Sequence, residues 1–351
     1  VYAKGDTKSM VRLKSGIDAD LRVVPAESYG AALSYFTGSK DHNVGLRKLA
    51  IQKGWKLNEY GLYKGKKMIA GKTEEEIYEK LGLSYIPPEL REVTGEIEAA
   101  KTHTLPKLIE RKDIVGDLQT QTNWTDGKAS IEEMVHAAMA EGLRYMAVTD
   151  HTKRLAMTNG LDEKRILLQM KEIDKINKKL ETRGERFRIL KGTECDILKD
   201  GSLDLPDEVL KQLDVVGISI HSLFNLSREE QTKRIVKAMR NPHADILFHP
   251  TGRLINQREA YALDMGEVIT VAKETGTVLE INAFPNRLDL KDEYIRAATQ
   301  KRVKLSIDSD AHAPSHFSVL EFGVSQARRG WAEKKDIINA WPVDKMLGML
   351  K

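Results

Sequence analysis

Val303-Lys304-Leu305-Ser306-Ile307-Asp308-Ser309-Asp310-Ala311-His312 is the stretch that decides how the rest is read. Mostly apolar residues fill Val303–Ile307, a run of strand length, and give way at once to aspartates and a histidine. The same grammar recurs upstream. Ile114–Leu118 runs into Gln119-Thr120-Gln121, Tyr145–Val148 into Thr149-Asp150-His151, and Phe187–Leu190 is followed by Thr193-Glu194-Cys195-Asp196. Val215–Ile220 meets His221-Ser222, Ile246–Phe248 meets His249-Pro250, and Val278–Ile281, which contains Glu280, meets Asn282. Helical stretches lie between the runs: Ile131–Glu141, Glu163–Leu180, Arg228–Arg240, Met265–Glu274 and Glu293–Lys301. Seven short apolar runs alternating with helices predict βα units and a mainly parallel sheet or barrel.

In such a barrel the C-terminal strand ends share one face, where βα folds carry their active sites. Four of the nine histidines, His151, His221, His249 and His312, stand at such ends. With Glu194, Asp310 and Asp126 they make a set of nitrogen and oxygen donors suited to a polynuclear metal centre. One histidine after a strand reads as a hydrogen-bonded structural residue. Four at equivalent positions, joined by carboxylates, read as ligands, because buried charges need partners or metals. His103, His136, His243 and His316 fit no strand end and are read as structural or exposed.

Residues 1–90 follow another pattern. Leu21–Val24 reads as a strand ending at Pro25, and Tyr29–Phe36 and Asn43–Lys53 as helices, the second stopped by Gly54. Lys56–Tyr63, Gly65 and Met68–Ala70 resemble a hairpin, and Thr73 opens a short helix to Leu81. Pro87-Pro88 breaks the chain, and the polar stretch 91–111 reads as a linker, which leaves 112–351 for the barrel. Charge divides similarly: residues 1–72 carry a net +8 and the remainder −4, within a total of +4. A basic segment on a mildly acidic body suits a polyanion such as nucleic acid, or is a solvated lysine-rich face. No apolar run reaches membrane-spanning length. A single cysteine, Cys195, excludes a disulfide framework and suits a reducing cytoplasm.

Specific motifs carry a resemblance. Asp117-Leu118 with Thr122-Asn123-Trp124-Thr125-Asp126-Gly127, Thr149-Asp150-His151, the lone His221 and His249, and Asp308-Ser309-Asp310-Ala311-His312 resemble the PHP (polymerase and histidinol phosphatase) phosphoesterase domain. Asp18-Ala19-Asp20-Leu21-Arg22-Val23-Val24, Tyr35-Phe36-Thr37-Gly38-Ser39-Lys40-Asp41-His42-Asn43, Leu46-Arg47 and Leu57-Asn58-Glu59-Tyr60 resemble the end of the palm and the thumb of a family X DNA polymerase. Together they are similar to the bacterial and archaeal PolX architecture, over the whole chain. The resemblance implies an α/β fold, a distorted (β/α)7 PHP barrel preceded by a small α+β palm-end and thumb segment. It also implies DNA repair: nucleotidyl transfer in the polymerase and metal-dependent 3′–5′ exonuclease activity in the barrel. The partners it implies are gapped duplex or DNA 3′ ends and dNTP, with no membrane.

Residue by residue, the resemblance implies three ion positions in the barrel. The first would use Gln119, Gln121, Glu194 and Asp310; the second Glu194, His221 and His249; the third Asp126, His151 and His312. Mn²⁺ or Zn²⁺ suits these donors. The family has His-x-His where this chain has Gln119-Thr120-Gln121, so the first position loses both nitrogen donors, and the expectation is one or two retained ions and slow or absent hydrolysis. Glu194 and Asp310 would be catalytic. Arg253 and Arg287 are candidate phosphate contacts, and Asp150 and Asp308 would orient ligands.

In the thumb, Tyr35, Phe36 and Gly38 would line the nucleotide's sugar pocket, with Ser39 beside them, Asn43 at the base edge and Arg47 at the template. Lys40, Lys48, Lys53 and Lys56 would contact phosphates. Of three palm carboxylates that hold Mg²⁺ in the family, only Asp20 has a counterpart. The other two are expected upstream of Val1, so this chain alone is expected not to polymerise DNA. A silent PHP scaffold with a DNA-binding thumb, or a small-molecule PHP phosphatase, are the competing readings.

Overall fold

In the computed structural model, which describes residues 1–350, the chain forms two units, Val1–Pro106 and Lys107–Lys351. In the first, β1 (Ala3–Lys4), β2 (Lys8–Arg12) and β3 (Asp18–Arg22) form an antiparallel sheet. Helices α1 (Tyr29–Thr37) and α2 (Lys40–Gln52) follow, then a second antiparallel sheet, β4 (Lys56–Asn58), β5 (Gly61–Lys64) and β6 (Lys67–Ala70), and α3 (Glu74–Leu81).

Local chemistry sets these limits. β3 begins three residues earlier than its apolar residues suggest, because its polar half pairs with β2, Asp18 opposite Arg12 and Asp20 opposite Met10. α2 starts at Lys40 rather than Asn43, since Ser39 caps it by accepting a hydrogen bond from His42 N at 3.3 Å.

The stretch 91–111, read from the sequence as a linker, is structured. Helix α4 (Glu96–Lys101) lies in it, and its charged residues build part of the first unit's interior. Arg91 is fully buried, donating to Glu74 Oε1 at 2.7 Å and Ile86 O at 2.9 Å. Glu96, also buried, accepts from Val93 N at 3.0 Å and Thr94 N at 2.8 Å and lies 2.7 Å from His42 Nδ1. Polar composition concealed a core built on satisfied charges.

The second unit alternates strand and helix: β7 (Gly116–Thr120), α5 (Ile131–Ala140), β8 (Tyr145–Val148), α6 (Glu163–Thr182), β9 (Arg188–Asp196), α7 (Asp207–Leu210), β10 (Val215–Ser219), α8 (Arg228–Met239), β11 (Ile246–Leu247), α9 (Met265–Thr275), β12 (Val278–Asn282), α10 (Asp292–Gln300), β13 (Leu305–Asp308), α11 (Leu320–Arg329) and α12 (Val343–Leu347). The seven strands pair in parallel in sequence order, and all but the start of β9 are buried almost throughout, which is why they read as apolar runs. The ring nearly closes. Gln121 N donates to Ala311 O at 2.8 Å, and Asn339 bridges the seam, its Nδ2 donating to Gly116 O at 2.9 Å and Ile307 O at 2.6 Å. Leu118, Tyr145, Ala147, Leu190, Val215, Ile246, Phe248 and Val278 pack together inside. Gly217 makes room there, since a Cβ on it would lie 1.8 Å from the Phe248 ring.

Candidate metal centre

Strand alternation places Glu194 and Asp196, two apart on β9, on one face, and the same periodicity aligns Gln119 and Gln121 at the end of β7. Glu194 is the hub. Its Oε1 lies 2.8 Å from His249 Nε2 and 3.1 Å from His221 Nε2, and its Oε2 lies 3.5 Å from His151 Nδ1. Asp126 Oδ2 stands 3.8 Å from His151 Nε2 and 3.6 Å from His312 Nε2. Two donor sets have atoms mutually within 4.8 Å, Asp126–His151–His312 and His151–Glu194–His221. The first is the third position expected from the sequence. The second substitutes His151 for His249, which stays attached to the same carboxylate.

The residues fit a divalent metal here. Four imidazoles and three carboxylates converge in a largely buried setting, and His151 Nδ1 has no hydrogen-bond partner despite its burial. Two of the expected ligands sit in left-handed backbone, His249 at φ 29° and Asp310 at φ 52°. Such strain in non-glycine residues collects at functional sites and needs support. Glu280 supplies some of it, accepting from His249 N at 2.5 Å.

Electrostatics follows from crowding. Burial opposes ionisation of Glu194, but the charges of His151 and His221 outweigh it and hold the carboxyl well below its usual range. Burial works against the protonated His221 and His312 as well. Glu194 and Asp196 nevertheless raise His221 to about 9, and the bond to Asp126 with the charge of Asp310 raises His312 to about 9. His249 moves the other way, lowered by burial and by Arg287. Beneath the site, burial raises Asp117 to about 7, and burial with the neighbouring Asp117 raises Asp308 to about 8.

Several expected roles change. Asp150 accepts from Thr122 N and Gln169 Nε2, and Asp308 from Leu118 N and Asn339 Nδ2, so both brace backbone and polar neighbours rather than orient histidines. The orienting residue is Asp196, whose Oδ1 lies 3.1 Å from His221 Nδ1. Its signal was the two-residue spacing from Glu194. Arg253 donates to Arg287 O and Leu288 O, fastening a loop, while Arg287 Nε lies 3.3 Å from Asp310 Oδ2.

In the first unit, Tyr35, Asn43 and Arg47 line one shallow cleft with Asn58 and Leu57. Asn43 Nδ2 donates to Tyr35 O at 2.8 Å, and Arg47 Nε to Asn43 O at 3.3 Å. Tyr35 and Phe36 are 38% and 51% exposed, which argues against a core role for either. Phe36 carries Arg22 over its ring, Gly38 turns with φ 73°, and Lys40 begins α2. Asp20 is exposed and lies 3.7 Å from Lys8.

A family model for the PHP domain matches residues 117–341, and one for the DNA polymerase beta thumb matches residues 32–92. The chain belongs to the PHP family. Among particular relatives, it is 42% identical over 355 residues to the "DNA polymerase/3'-5' exonuclease PolX" of Bacillus subtilis (strain 168), an alignment that takes in all of this chain and 61% of that protein. The chain thus spans about three-fifths of that relative's length. It is also 32% identical over 194 residues to a Thermoanaerobacter sp. (strain X514) protein named "Probable phosphatase", covering 52% of this chain and 73% of that one. A solved histidinol phosphate phosphatase from Lactococcus lactis shows a TM-score of 0.46 at 13% identity, covering 62% of this chain and 94% of that one. No helix among the described residues is long and apolar enough to cross a membrane.

Proposed function

We propose that the barrel is a metal-dependent phosphodiesterase acting on DNA 3′ ends, within a PolX-type repair polymerase whose thumb the first unit supplies. The observation that carries the reading is the buried Glu194 at the meeting point of His151, His221 and His249. Divalent ions, Mn²⁺ or Zn²⁺, would supply Lewis-acid charge and an ionised water when bound. His221, kept in one orientation by Asp196, and His151, between Glu194 and Asp126, would hold them. Asp310 and Glu194 would fix the reacting end of the substrate through that centre, and Arg287 would face the phosphate from beside Asp310.

The cleft residues Asn43 and the basic Arg47, with the exposed Tyr35 and Phe36, support DNA and dNTP as the first unit's partners. Asp20, 3.7 Å from Lys8, would be a palm carboxylate that holds Mg²⁺. The lone buried Cys195 suits a cytoplasmic setting.

Digestion of a 5′-labelled single-stranded oligonucleotide with Mn²⁺, beside the Gln119→His/Gln121→His variant, tests the reading. The expected result is slow shortening by the chain and faster shortening by the variant. Hydrolysis of small phosphate esters by both, with neither shortening DNA nor binding it in a salt-dependent way, would sink it.

A further inference from the structure

Oxygens of Glu194, Gln119 and Asp310 that would have to ligate an ion at the first position are already bonded to N–H groups. Gln119 Nε2 donates to Glu194 Oε2 at 3.1 Å, and Gln121 Nε2 to the same oxygen at 2.9 Å. Asn282 Nδ2 reaches Gln119 Oε1 at 3.1 Å, Asp310 Oδ2 at 3.2 Å and Glu280 Oε2 at 3.4 Å. Arg287 Nε adds a cationic donor 3.3 Å from Asp310 Oδ2. Apart from the guanidinium, all of these side chains are essentially buried.

The orientation of the Gln119 amide is dictated by the network. Turned over, it would set its oxygen against the Glu194 carboxylate and its NH₂ against the NH₂ of Asn282, two repulsive contacts in place of two attractive ones. Gln121 is held by the same carboxylate, and its free Oε1, buried without a partner, is a single neutral oxygen. An ion at this position would have to strip the donors from Glu194 and Asp310 and leave buried amide hydrogens unbonded, at the full desolvation cost of each group. The charge such an ion would bring is supplied in part by the guanidinium.

Resting on the reading of the barrel as a metal centre, we propose that the first position takes no ion. Gln119, Gln121 and Asn282 with Arg287 hold Glu194 and Asp310 in its place, and the centre is built for two ions. Arg287 is here a positioning residue, competing with any ion for Asp310.

The test counts metal rather than turnover. The full chain is saturated with Zn²⁺, desalted, and its zinc measured by inductively coupled plasma mass spectrometry. Two ions per chain are expected, and three in Gln119→His/Gln121→His. Adding Arg287→Met to that variant should tighten the third ion by tenfold or more in a competition titration with a chromophoric chelator. Three ions in the unaltered chain, or two in a folded double variant, would overturn the proposal. An unchanged third-ion affinity on loss of Arg287 would remove that residue from it.

A chain that takes up no zinc at all defeats the metal-centre reading itself, a different failure. Should the double variant not fold, the side-chain amide NMR signals of Gln119 and Gln121 in the zinc-saturated chain decide. Slow hydrogen exchange at both supports the donor role, and rapid exchange with large shifts on zinc binding refutes it.

Discussion

Asp196 shows what a single side chain does for the centre, because nothing else described bonds His221 Nδ1 except a 3.3 Å contact with Ser219 Oγ. Asp196→Asn keeps the shape but removes the charge that fixes the imidazole, and metal affinity should fall about 10- to 100-fold in isothermal titration. The histidines also predict a proton count. His221 and His312, held at about 9, carry protons at pH 7.5 when no ion is bound, yet must be neutral to ligate one. Zinc uptake at that pH should therefore release about two protons, and affinity should rise as pH rises toward 9. Titration in two buffers of different ionisation enthalpy measures the number; a release near zero would contradict it. Histidines and acidic residues at strand ends were legible because their spacing repeats with the βα unit. Asn282 and Arg287 stood out as positions but their partners did not, since which neighbour's oxygen each reaches is a property of closure.

At the scale of elements, the barrel was readable and the first unit less so, for one reason. A parallel strand buried on both faces is written as an apolar run, whereas β3, Asp-Ala-Asp-Leu-Arg, is mostly exposed and shows none. The stretch around α4 misled in the opposite direction, with Arg91 and Glu96 buried where their residue types are rarely found. Glycine gives the sharpest element-level prediction. Gly217→Ala would drive a methyl into Phe248 between β10 and β11, and overpacking of this kind costs ~1–3 kcal/mol. Urea unfolding of the pure chain should show that loss as a lower midpoint with the slope unchanged, and no loss would mean that Phe248 has somewhere else to go.

At the scale of the molecule, the two units meet acid differently. Glu96 sits in the first unit, where burial opposes its charge but His42, its own backbone N–H and the Val93 amide outweigh this and lower its pKa. A depressed carboxyl stabilises the fold above its unfolded value of ~4.3, and that contribution drains away as pH falls through the lower folded value. The amide signals of Val93 and Thr94, which both donate to Glu96, should hold steady as pH falls to that unfolded value and shift only below it. In the barrel, the buried Asp117 and Asp308 have raised values, so by the same linkage their contribution is present in full below the unfolded value of ~3.9 and is lost as pH rises through 7–8. The seam fastened by Asn339 bears on how the molecule comes into being. A ribosome delivers Gln119 and Gln121 nearly two hundred residues before Asp310 and later still Asn339, so until those follow β7 has β8 on one side and an open edge on the other. The emerging barrel is a ring whose clasp is made after every strand it joins, and a helper that shields the waiting strand edge during that interval should raise its yield.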